Sequence, residues 1–104
     1  MSQILNTTLE NYRNAANAKW DMILNIRKQL KRMEKRVQYY KHVRNVLNRQ
    51  GVSTQITDSS IVSAKSTITT FLDRIVEMKK LRKVDFEMIK HLENAKFIED
   101  SKIV

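Results

Sequence analysis

From Leu9 to Leu47 an apolar residue returns every three or four positions, and neither proline nor glycine interrupts the run. One column reads Leu9, Ala16, Ile23, Leu30 and Val37; the column three residues later reads Tyr12, Lys19, Ile26, Met33, Tyr40 and Leu47. A 3-4 spacing held over more than five heptads dictates a long helix packed along one seam against another helix. Lys19 is a polar defect in that seam, and Arg44 stands where the first column ends. Thr7 and Glu10, spaced Thr-x-x-Glu, suit a capping box at the start of the helix. Gly51, the only glycine, follows the last periodic residues, where a helix takes a left-handed residue. The first helix is therefore expected over residues 8–49, roughly 60 Å at about 1.5 Å per residue.

The segment GVSTQITDSS breaks this pattern with β-branched and hydroxyl residues, and Thr57, Asp58, Ser59 and Ser60 compete as N-caps of a second helix over about residues 60–99. Its stripe reads Ile61, Ala64, Ile68, Phe71, Ile75 and Met78, then shifts by three to Leu81, Met88, Leu92 and Ala95. The shift marks either a local overwinding or a break near residues 83–85, with Asp85 capping a short third helix; continuity is the preferred expectation. A loop of about ten residues between two long amphipathic helices implies an antiparallel helical hairpin. The expected fold is all-α, one helical domain over residues 1–104.

Around Trp20, Met22, Ile23, Leu24 and Ile26 apolar residues cover most of the helix circumference, more than one partner helix can bury. These five are the candidate oligomer interface, by which two hairpins complete a four-helix bundle. A chain of 104 residues buries only about 60 to 70% of its unfolded surface as a monomer, so self-association would help it.

The net charge of +9 is not spread evenly. Between Arg27 and Arg49, nine basic residues face Glu34 alone, a balance of +8. The positions directly opposite the seam carry Lys28, Lys35, His42 and Arg49, flanked by Arg27, Lys31, Arg32 and Lys41. Cations seven residues apart lie about 10 Å apart along a helix, a separation that suits successive phosphates. Arg27, Lys28, Lys31, Arg32, Lys35, Arg36, Lys41 and Arg49 are the candidate nucleic-acid-binding residues, with Tyr39 beside them as a ring for stacking on an unpaired base. The expected partner is DNA or RNA, held by its backbone. Two rival readings stand next to it: docking on an acidic protein surface as an adapter or inhibitor, and a merely solvated face that favours helix and solubility.

Other chemistries find less support. "RQGVSTQ" superficially resembles the Gly-Val-Ser turn of helix-turn-helix DNA readers, but the helix before it is far too long, and Thr57 falls where a recognition helix needs an apolar residue. There is no cysteine, His42 and His91 do not form a pair at metal spacing, and no glycine-rich phosphate loop is present. No enzyme activity, metal or cofactor is expected. Nowhere do about 18 apolar residues run together, and the N-terminal residues lack a basic segment followed by an apolar one. The cations flank a seam that a partner helix occupies, which argues against a membrane-surface helix. A cytoplasmic or nucleoid-associated, non-secreted protein is expected.

Overall fold

The computed structural model describes residues 2–102. It contains two helices, α1 (Ser2–Arg49) and α2 (Gln55–Lys102), each of 48 residues, and no strand among the described residues. The chain divides into two compact units, Met1–Ile23 with Val76–Val104 (unit 1) and Leu24–Ile75 (unit 2). Within each, a stretch of α1 packs on a stretch of α2.

In unit 1, Leu9, Ala16 and Ile89 form a buried cluster with Tyr12 and Leu92 packed against it, and Ile23 is completely buried. Arg13 pairs with Glu93 and Lys19 with Asp85. The partner number falls as the first number rises, so the helices run antiparallel there. In unit 2, Ile26 and Val37 of α1 and Thr57, Ile61, Ala64 and Ile75 of α2 are buried. Both α1 columns thus lie on the inner face of the helix.

Three boundaries differ from those the sequence suggests: the start of each helix, and the end of α2, at Lys102 rather than near residue 99. α1 begins at Ser2 rather than near residue 8. The Thr7 hydroxyl donates to the Gln3 carbonyl at 3.0 Å, and that of Thr8 to the Ile4 carbonyl at 2.8 Å. Thr7 is therefore an interior residue that bonds backwards along its own helix, and it caps nothing. Half-buried Leu5, four residues before Leu9, carries the apolar spacing one step further toward the N-terminus.

α2 begins at Gln55 rather than near residue 60, which shortens the connection to residues 50–54. The Thr54 carbonyl accepts the first helical bond from the Asp58 N–H at 2.8 Å, while its hydroxyl donates to the Asp58 carboxylate at 2.9 Å. Thr57 through Ser60 thus lie inside the helix. Asp58, in the first turn, suits the positive end of the helix dipole.

Gly51 terminates α1 with φ +70°. The Val52 N–H bonds to the Leu47 carbonyl at 3.0 Å and the Gly51 N–H to the Asn48 carbonyl at 3.2 Å, the paired 6→1 and 5→2 bonds of a Schellman motif.

α2 passes through residues 83–85 without interruption, and its buried stripe does not shift. Beyond Ile75 and Met78 the inward positions are Arg82, Asp85, Ile89 and Leu92, all buried or half-buried, in unbroken heptad register. Leu81, Met88 and Ala95, which the apolar pattern suggests as seam residues, are exposed. Two polar residues hold the seam in their place.

Candidate nucleic-acid interface

Lysine and arginine are good helix formers, so a run of them on α1 costs the helix little provided that the seam positions between them stay apolar. Unit 2 keeps them so, with Arg44 as the exception. Lys28, Lys31, Arg32, Lys35, Arg36 and Arg49 are all exposed, as is His42. Arg27 and Lys41, which flank the seam, are half-buried.

The charge balance follows the division into units. Unit 2 holds eleven basic side chains against three acidic ones, a net +8, and unit 1 nine against eight, a net +1. Of the three acids in unit 2, Asp58 is engaged by the Thr54 hydroxyl and lies 3.8 Å from the Arg44 guanidinium. Arg44, at a seam position of α1, is thereby turned toward the start of α2. Among the described residues, Lys28, Lys31, Arg32, Lys35 and Arg49 make no ion pair.

Tyr39 is 64% exposed, with its ring 6.1 Å from that of half-buried Tyr40 and tilted 57° to it. The Tyr39 ring thus stands exposed on the basic helix, where a base can reach it.

Sequence reasoning missed the second wall of this surface. A shallow groove in unit 2 is lined by Arg36 and Tyr40 of α1 and by Ser59, Ser60 and Ser63 of α2. Hydroxyl groups are ordinary donors to phosphate oxygens. The signal is a run of serine and threonine through residues 57–70, but Ser59 and Ser60 read as competing caps, and Ser63 lies off the apolar stripe of the second helix. In the helix, the hydroxyls of Ser60, Thr67, Thr69 and Thr70 donate to carbonyls four residues earlier, which lets poor helix formers sit inside it.

The five candidate interface residues separate. Ile23 and Ile26 are 0% and 8% exposed, buried in the chain's own seams. The breadth of the apolar belt is explained for these two by intrachain packing. Met22 and Leu24 are 48% and 40% exposed. Trp20 is half-buried beneath Arg82, whose guanidinium lies 4.9 Å from the Trp20 ring and 4.6 Å from that of Phe86. Arg82 Nε also donates to the Ala16 carbonyl at 3.2 Å. Trp20 thus packs against an arginine at the seam.

No group of three histidine, cysteine or acidic side chains is placed to hold a metal ion among the described residues. No helix among them is long and apolar enough to cross a membrane. Comparison of the chain with family models, with curated proteins and with solved structures gives no match.

Proposed function

We propose that this is a cytoplasmic, non-enzymatic nucleic-acid-binding protein that grips a phosphate backbone with the outer face of α1, and that it works as a homodimer. The observation that supports the grip is the segregation of charge: +8 of the net +9 lies in unit 2, where Lys28, Lys31, Arg32, Lys35 and Arg49 are exposed and make no ion pair among the described residues. A solvated face maintained for solubility needs no such imbalance, because mixed charges serve that end as well. Lys28, Lys35 and Arg49 supply contacts about 10 Å or more apart along the helix axis. Arg36 and the hydroxyls of Ser59 and Ser63 across the groove add donors, and Tyr39 offers a stacking surface. Self-association is supported by area. The chain exposes 8075 Å², whereas a compact monomer of this length exposes about 6,000 Å².

A salt-titrated binding assay against duplex and single-stranded DNA and RNA tests the grip. About five phosphate contacts give a log–log slope of roughly −4 to −5 on duplex DNA, with little dependence on sequence. A chain that binds none of the four at low salt, and instead associates with an acidic protein, uses the same face as an adapter, and the nucleic-acid reading fails.

A further inference from the structure

We infer that a second copy of this chain docks antiparallel on the exposed flank of α2 in unit 1, in one register that pairs Glu77 with the partner's Lys102. This rests on the self-association proposed above and names its surface. The two flanks of the seam in unit 1 are unlike. One carries the polar fastenings, the Arg13–Glu93 ion pair and Arg82 between Trp20 and Phe86. The other carries Leu81, Val84, Met88, Ala95 and Ile98, all exposed, at 43, 58, 38 and 48% for the four large ones. On the same flank α1 contributes Ala15, Ala18 and Met22, none of them charged.

The spacing identifies the occupant as a helix. Leu81, Val84, Met88, Ala95 and Ile98, with His91 at the middle step, repeat at intervals of three and four, the pattern that packs knobs into holes against a second helix. The chain's own α1 cannot fill that role, because it already occupies the neighbouring stripe of Ile89 and Leu92.

Self-complementarity identifies the helix as a second α2. About a twofold axis beside Ile89 and Lys90, Leu81 falls opposite the partner's Ile98, Val84 opposite the partner's Ala95, and Met88 opposite the partner's His91. Glu77 and Lys102 bound the stripe and meet the partner's Lys102 and the partner's Glu77. Each layer occurs twice, as an isologous contact requires. A slide of one heptad sets Ile98 against the partner's Arg74 or Val84 against the partner's Lys102, and breaks both charge pairs. The near-neutral balance of unit 1 removes the repulsion that two copies of unit 2 would meet. Summed over both units, the chain exposes about 2,000 Å² more than a compact monomer of its length, which is more than the roughly 800 Å² that each partner contributes to a standard interface.

Sedimentation in the absence of nucleic acid tests this. The wild type should sediment as a dimer. Leu81→Asp with Met88→Asp should raise the dimer Kd by about a hundredfold or more with helicity unchanged, since both positions are exposed within the protomer. Glu77→Lys and Lys102→Glu should each weaken the dimer, and their combination should restore it. The chain has no cysteine, so Val84→Cys chains mixed with Ala95→Cys chains should form an interchain disulfide on oxidation. Val84→Cys chains alone should not, because the two copies of that residue lie eleven positions apart, roughly 16 Å. A monomer at tens of micromolar overturns self-association and surface together. A dimer indifferent to the Leu81 and Met88 changes overturns the surface alone, and cross-linking of Val84→Cys chains by themselves overturns the register.

Discussion

Lys19 is out of place in an apolar column until Asp85 is set against it. Each residue interrupts the stripe of its own helix, and the fold brings the two interruptions together, with Asp85 8% exposed overall. A lone lysine or aspartate at that depth is costly; paired, the two permit the antiparallel register that joins them and penalise a register that separates them. Asp85→Ala leaves the Lys19 ammonium beside an apolar cluster. It should lower unfolding free energy in urea by about 2 kcal/mol, between the values for exposed and for fully buried pairs. The double variant Lys19→Leu, Asp85→Leu should be at least as stable as wild type, because well-packed leucines replace an ion pair that has to be desolvated. A double variant that loses as much as the single one would mean that the pair contributes net stability rather than register.

At the scale of the helices, the first was legible almost throughout because its seam is apolar, and its C-terminus was legible because only glycine suits the left-handed residue that ends it. Both helix starts were misplaced for one reason. Threonine, serine and aspartate are used as caps and equally as interior residues bonded four positions back, and composition does not separate the two uses. The second half of α2 misled in a more specific way. Its inward positions carry Arg82 and Asp85, whereas Leu81 and Met88 stand on the neighbouring flank, so a search for apolar periodicity follows the wrong stripe. In the basic site, the exposed cations were legible from their position opposite the seam, while the serines across the groove from Arg36 were not, since Ser59 and Ser60 read as caps and Ser63 lies off the apolar stripe of α2. The continuity of α2 is itself testable. Lys83→Pro should cost about 3 kcal/mol or more, as proline does inside a helix, with a matching loss of thermal stability. A linker at residues 83–85 would tolerate the change.

At the scale of the molecule, the two units divide the chemistry: one is charge-balanced and fastened by ion pairs and arginine stacking, and the other concentrates cations on an outer helix face. If the nucleic-acid affinity came from net charge alone, the position of the cations would be irrelevant, and long-range attraction would respond equally to any reversal. If it comes from contacts that release counterions, only residues at the phosphate surface count. Lys28→Glu, Lys35→Glu and Arg49→Glu together remove six charge units from unit 2; Lys79→Glu, Lys83→Glu and Lys90→Glu remove the same six from unit 1. All six side chains are exposed, and all lie off the flank that carries Leu81 and Met88. Helicity and dimerisation should therefore survive both changes. At moderate salt the first set should lower affinity by about a hundredfold or more and flatten the salt slope by about three, and the second should lower it by less than about tenfold with the slope nearly unchanged. Equal losses and equal slopes, measured by fluorescence anisotropy on one labelled duplex and one labelled single strand, would reduce the basic face of α1 to a contribution to net charge.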